Sequence, residues 1–357
     1  DHFKAGAAAP IIANLCLIVG AVMIPFVASH LDALRAVPIA IALVVAGFTQ
    51  IIFLYWALSR LHSVPALIWP RLSDAGRKMW RNFAPAAAGA GTMQLNLLID
   101  LILASLLPVG AISWLYYADR VAQLPLGVIG IALGTALLPK LSASEAAGQP
   151  AEVRNSLSEA IGFAGFFVIP AVTGLVLCSL PIIKGLFVYG AFTFSDAKMA
   201  AIALVAYGCG LPGFVMVKIL QTAFYATDQP AVVLKISLIT VAINVAGSLS
   251  LMPILGHVGL ALATAVSGTV AAAIMLYLLA RQHRLSASFL PLCGKIILAS
   301  AVMGAATILL QFGVERFVKV PAAADLLVIV GGGGAVYAVT AYVVGAVPAG
   351  LRSQSHN

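Results

Sequence analysis

Charged side chains are scarce here: Asp and Glu number 12 and Lys and Arg 20 in 357 residues, or 9% of the chain. Soluble domains carry about 25%, so a water-soluble globular protein is excluded. Cysteine is equally sparse. Cys16, Cys178, Cys209 and Cys293 fall inside or beside apolar runs without a CxxC spacing, which argues against a disulfide framework or a thiolate metal site. The six histidines are scattered and form no HExxH, so a metalloenzyme has no support. Paired carboxylates and nucleophile–base sets are also missing, and no enzyme is expected. The apolar runs lack the two-residue alternation of an outer-membrane barrel.

What the sequence does have is hydrocarbon: 62% of its residues are hydrophobic. A span needs about 20 apolar residues. On that measure the fold class is all-α, a polytopic membrane bundle of about ten helices. These are expected at 8–28, 36–59, 83–107, 111–139, 157–180, 197–225, 230–254, 257–281, 290–312 and 323–347. With residue 1 in the cytoplasm, that side takes Lys4, Arg60, Arg71, Arg77, Lys78, Arg81, Lys140, Arg154, Lys235, Arg281, Arg284, Lys295 and Arg352. The other side takes Arg35, Lys184, Lys198, Arg316 and Lys319. The positive-inside rule therefore puts both ends in the cytoplasm. The net charge of +8 belongs to this topology signal and to phospholipid contact, with Trp69, Trp80 and Phe83 at headgroup depth; no nucleic-acid partner is expected. The chain starts with Asp1, shows no signal peptide, and reads like the middle of a longer protein.

Several expected spans are interrupted. The fourth carries Pro125, Gly127, Gly130 and Gly134, and the sixth carries Gly208, Gly210, Pro212 and Gly213. Broken helices serve as hinges or line cavities in transporters; glycines alone also serve close helix packing, the reading given to Gly331–Gly334. A polar stripe runs down the fourth span through Ser113, Tyr117, Arg120 and Gln123. Asp119 lies about 100° round the helix from Arg120, so both are expected to find partners on other helices. An ion at mid-membrane costs about 2.5–3.5 kcal/mol on insertion scales. Two readings of Arg120 stay open, a permanent cation for a phosphate-bearing substrate and an ion pair locking two helices. The third span presents Thr92, Asn96 and Asp100 on one face; the seventh presents Thr240, Asn244 and Ser248, and the eighth Thr264 and Ser267. One carboxylate among amide and hydroxyl oxygens suits Na⁺ or a proton, and ordinary interhelical hydrogen bonding explains the same residues. Lys218 either snorkels to the cytoplasmic interface or enters a cavity.

The run Tyr116-Tyr117-Ala118-Asp119-Arg120, followed by Leu124-Pro125-Leu126-Gly127 and onward to Pro139-Lys140-Leu141-Ser142, closely resembles the signature of the MurJ (MviN) family. Further matches follow at Gly190-Ala191-Phe192-Thr193, Tyr207, Gly210-Leu211-Pro212, Val217-Lys218 and Ala223-Phe224-Tyr225-Ala226, with Ala9-Pro10 and Asn14 upstream. That family comprises lipid II flippases of bacterial peptidoglycan synthesis, within the exporter superfamily that includes the MATE-like carriers. The resemblance implies a two-lobe architecture of fourteen helices, the first four lying outside this chain. Residues 1–60 would then be the last two helices of the first lobe, 61–82 a basic cytoplasmic loop, 83–281 the second six-helix lobe, and 282–357 an extra helix pair with a short tail. It also implies alternating-access transport of an undecaprenyl-diphosphate-linked sugar-peptide across the inner membrane. Arg120 would face the diphosphate, with Asp119, Tyr117, Gln123 and Lys218 around it. Asp100, Asn244 and Thr264 match positions given to a sodium site in some members; Ser248 stands where an aspartate completes it, and Gln123 where some members have glutamate. No cofactor is implied beyond Na⁺ or proton coupling. Implied partners are lipid II, phospholipids and the cell-wall synthesis machinery. Alternatives are a flippase for another polyprenyl-linked glycan, a drug–cation antiporter, and a non-transporting membrane scaffold.

Overall fold

The computed structural model describes residues 4–28, 37–60, 74–282, 284–285, 289–317 and 322–348. Arg35, Trp69, Arg71 and the tail beyond 348 lie outside them, as do the side chains of Lys4, Lys78, Arg81, Phe83 and Thr92. The described chain is helical, and eight of its helices are long and apolar enough to cross a membrane. It is a multi-pass membrane bundle that clusters into two units, residues 1–79 and 80–357.

The first unit is built on α1 (Lys4–Ala28) and α2 (Val37–Arg60). The pairing is antiparallel, since Gly20 lies against Ala42 and Pro38 while Gln50 Nε2 donates to the Ala9 carbonyl at 2.9 Å. A Cβ on Gly20 would come within 2.5 Å of Ala42 Cβ, so glycine is what lets the backbones close. At the end of α2, the Arg60 guanidinium lies 5.0 Å from the Trp56 ring centroid, an arrangement suited to a membrane interface. Helix α3 (Asp74–Ser105) spans the boundary between the units. Its start at Asp74 means that the second half of the expected basic loop is helical.

In the second unit the span expected at 111–139 is three elements. Helix α4 (Ala111–Pro125) passes into a π-helical turn (Leu126–Ile131) and then α5 (Ala132–Ala146). Pro125 has no N–H to continue the ladder, and a widened turn absorbs the mismatch. The span expected at 157–180 is likewise α6 (Pro150–Leu177) and α7 (Ser179–Phe187), separated at Cys178. Pro181 removes the donor that would reach the Leu177 carbonyl; Gln311 Nε2 donates there instead, at 3.0 Å.

Helix α8 (Phe194–Ala226) corrects a further expectation, because it runs unbroken through Pro212. Its glycines serve packing against α10 (His257–Arg281). A Cβ on Gly210 would sit 2.6 Å from Ala265 Cα, and one on Gly213 2.7 Å from Thr269 Cα. Between them in sequence, α9 (Pro230–Leu255) packs along α10. The main core gathers Leu115, Leu157, Leu204, Leu211, Phe224 and Leu260 from α4, α6, α8 and α10. The last pair, α11 (Leu290–Phe317) and α12 (Ala322–Val344), forms its own small core with α6. There the Tyr337 hydroxyl donates to the Phe166 carbonyl. Of the four expected packing glycines in α12, Gly333 and Gly332 approach Thr307 and Leu310, while Gly331 and Gly334 face open space.

Candidate functional site

Helix α4 is held at its start. Gly110 takes φ +105°, and the Trp114 ring covers the space where a Cβ would be. Trp114 Nε1 donates to Asp196 Oδ1 at 2.8 Å, while the other Asp196 oxygen accepts from Thr193 in the capping box of α8. The same indole stacks at 5.1 Å on His257, whose Nε2 lies 3.0 Å from the Met199 carbonyl. A cap and a ring pair thus join α4, α8 and α10.

Nine residues further on, about 14 Å at helical rise, comes the charged pair. Arg120 is exposed on the surface of its unit, and its guanidinium lies 4.9 Å from the centroid of the Tyr116 ring. Among the described residues it forms no salt bridge. Asp119 is half-buried and accepts from Gln123 Nε2 one turn on. Among the described residues, the Arg120 ring contact and the Asp119 hydrogen bond both lie within α4, and not on other helices as the sequence leads one to expect. Tyr117 leaves this face: its ring packs 4.7 Å from Phe187 and 5.0 Å from Phe192. Lys218, on α8, lays its stem along the π-helical turn, where a Cβ on Gly130 would be 3.6 Å from its Cγ. Arg120, Asp119 and Gln123 are thus brought together. Tyr117 turns instead to Phe187 of α7 and to Phe192, and Lys218 to the π-helical turn.

A second polar cluster joins α3, α9 and α10. Asn244, fully buried, donates its amide to Asn96 Oδ1 at 2.9 Å and to the two Asp100 oxygens at 3.0 and 3.2 Å. Asn96 donates to Asp100 at 3.2 Å, and Thr264 Oγ1 reaches Asn244 Oδ1 at 3.4 Å. Ser248, one turn beyond Asn244, is fully buried and its hydroxyl has no hydrogen-bond partner. Thr240 and Ser267 bond their own helices, to Ile236 and Thr264 carbonyls. Asn96 joins Asp100 as the sequence face suggests, whereas the Tyr116 contact with Arg120 is one that the sequence reading misses. Asn96 shares the Asp100 face at four-residue spacing; Tyr116 stands four residues before Arg120, the better stacking offset on a helix.

Apolar spans enclosing an exposed guanidinium and a carboxylate–carboxamide cluster at span depth define a polytopic helical membrane protein with intramembrane polar sites. Comparison narrows the class. The family described as "Lipid II flippase MurJ" matches residues 1–323. A probable lipid II flippase MurJ of Rhizobium tropici is 34% identical over 361 residues, covering 98% of this chain and 67% of that protein. Another, from Rickettsia prowazekii (strain Madrid E), is 31% identical over 303 residues, covering 84% and 59%. A solved lipid II flippase MurJ in an inward closed conformation shares the fold at TM-score 0.75 and 23% identity, covering 94% of this chain and 66% of that one. The chain belongs to the lipid II flippase MurJ family, and spans about three fifths to two thirds of the length of these relatives.

Proposed function

We propose that this chain is the larger part of a flippase that carries an undecaprenyl-diphosphate-linked sugar-peptide, lipid II, from the inner to the outer leaflet of a bacterial inner membrane. The observation that carries the reading is Arg120, an exposed guanidinium, set at mid-span on this reading, that forms no salt bridge among the described residues. A lipid-facing cation at that depth is unfavourable, and a diphosphate is the ligand whose paired oxygens match its forked donors. Asp119 and Gln123, bonded to each other, flank the same face, and Lys218 adds a second cation toward the π-helical turn. Tyr117 supports α4 through its aromatic packing. On this reading residues 83–281 form one lobe and residues 1–60 part of the other, both ends are cytoplasmic, and access alternates as the lobes rock while the polyprenyl tail stays in lipid. No covalent bond changes, so positioning and charge compensation are the whole chemistry.

The Asp100 cluster fits a coupling cation. Its oxygen-rich donor set suits Na⁺, and the orphaned Ser248 hydroxyl on the same face of α9 is a buried polar atom awaiting a partner. Asp100, Asn244 and Thr264 would hold the ion, with Ser248 contributing a neutral hydroxyl.

The test is Arg120→Ala in the full-length protein, introduced into cells depleted of their own flippase. Rescue should be lost with membrane insertion intact, lipid II should accumulate in the inner leaflet, and Arg120→Lys should restore only part of the rescue because lysine lacks the fork. Full rescue by Arg120→Ala overturns the reading. Competition between lipid II and other polyprenyl-linked glycans in reconstituted vesicles separates this substrate from its relatives.

A further inference from the structure

The sequence places Tyr117 beside Arg120, but the structure puts Tyr116 there. Its ring centroid is 4.9 Å from the guanidinium carbon, and Tyr116 is 54% exposed, so core packing does not explain a large aromatic at this position. Behind it stands Tyr117, edge-on at 5.8 Å and 78°. Tyr117 is in turn fixed against Phe187 and Phe192, which meet each other at 6.4 Å. A relay of rings therefore runs from the packed side of α4 to the exposed side and ends under the cation.

We propose that Tyr116 is a positioning residue for the anion site: its ring holds the Arg120 guanidinium in place with the forked donors directed outward to a prenyl diphosphate. This rests on the reading of Arg120 given above. A cation over an aromatic face is held by the charge distribution of the ring and not by a hydrogen-bond acceptor. The contact therefore leaves N–H donors of the five for phosphate oxygens. A long arginine stem free in a wet space must be ordered when ligand arrives, and that entropy is lost from affinity. A stem already stacked has lost it beforehand. Asp119, the nearest competing anion, is engaged by Gln123, which leaves the fork available.

The experiment measures binding of farnesyl diphosphate, a short prenyl diphosphate, by calorimetry on the full-length protein in nanodiscs. Tyr116→Leu should weaken binding by about fivefold, the scale of an exposed cation–π contact. Tyr116→Phe should recover most of that affinity, since the ring and not the hydroxyl is required. In an Arg120→Lys background, whose ammonium still attracts a ring but lacks the planar fork, Tyr116→Leu should weaken binding by less than in the parent; this double-mutant cycle separates positioning from general destabilisation. Arg120→Ala should abolish binding. If Tyr116→Leu binds like the parent while Arg120→Ala does not bind, the positioning role is overturned and the diphosphate reading stands. The role is equally overturned if Phe is as poor as Leu, or if Leu weakens the Arg120→Lys protein just as much. If Arg120→Ala binds like the parent, the diphosphate reading fails and the positioning role fails with it.

Discussion

A half-buried carboxylate beside carboxamides is satisfied either by N–H donors or by a cation, and Asp100 has the means for both. Asn244 and Asn96 donate to it, while their carbonyl oxygens, Thr264 and Ser248 supply the hard donors Na⁺ prefers. The expected outcome is that NaCl raises the melting temperature of the full-length protein above that in choline chloride, and that Asp100→Asn abolishes the difference. At a hundredfold excess over Kd the stabilisation is about 2.7 kcal/mol. Equal melting of the parent in both salts, read by scanning fluorimetry, removes the cation from the account. Asn244→Ala should destabilise even without sodium, by about 1–3 kcal/mol, because it leaves buried acceptors unpaired. Much of this cluster was legible in the sequence. Asp100 and Asn96 stand four apart, as do Asn244 and Ser248, and helical spacing alone puts each pair on one face. Spacing does not say which helices meet, and so it could not foretell that Thr240 and Ser267 turn to their own backbones. Nor could it choose between Tyr116 and Tyr117, which lie four and three residues before Arg120.

At the scale of the element, proline and glycine punctuate this chain in two opposite ways that look alike in sequence. Pro125 and Pro181 change the local helix: the first precedes the π-helical turn and the second follows the break at Cys178. Pro212, by contrast, leaves α8 intact. The difference lies in what receives the freed carbonyl and what packs alongside. Gln311, for example, reaches Leu177 from 134 residues away, a pairing invisible to any local reading. Hydropathy set 111–139 as one span and its proline and glycines marked the interruption that the π-helical turn makes, whereas the break at Cys178 inside 157–180 went unmarked. Gly213 and Gly294 test the packing claim as a pair. Valine at 213 would force its Cβ against Thr269 backbone atoms at 2.7–2.8 Å; overpacking of this kind costs about 1–3 kcal/mol and should lower the melting temperature visibly. Alanine at 294 meets nothing within 4 Å and should be neutral or stabilising by up to about 1 kcal/mol, the helix-propensity gain over glycine. Equal effects of the two substitutions would show that α8 and α10 do not touch as described.

For the molecule as a whole, charge is spent at the ends of helices, and one pair there ties distant parts of the sequence together. Arg284, just past α10, donates through both terminal nitrogens to Glu145 at the end of α5, at 2.7 and 2.8 Å. Gln282 reaches Gln229 at 3.3 Å beside it. This joins the end of the helix that carries the π-helical turn to the segment entering the last helix pair. The sequence offered Arg284 only as a topology marker and gave Glu145 no role, because a separation of 139 residues carries no local signal. The bidentate guanidinium holds the Glu145 carboxyl below its ordinary value of 4.5, and the carboxylate raises the Arg284 guanidinium further above its already high value. A carboxylate depressed in the folded state stabilises fully above its unfolded value and loses that contribution as pH falls through the folded one. The arginine works in the opposite sense, losing its contribution only at strongly alkaline pH. The acid window is therefore the informative one. With both side chains partly exposed, at 23% and 32%, the pair contributes on the order of 1 kcal/mol. Glu145→Gln should lower the melting temperature at pH 7, and the gap to the parent should stay constant down to about pH 5. It should then close as pH drops below 4.5 and the parent loses its carboxylate. A gap that persists unchanged into that range would mean the carboxylate is not what holds α5 to the linker.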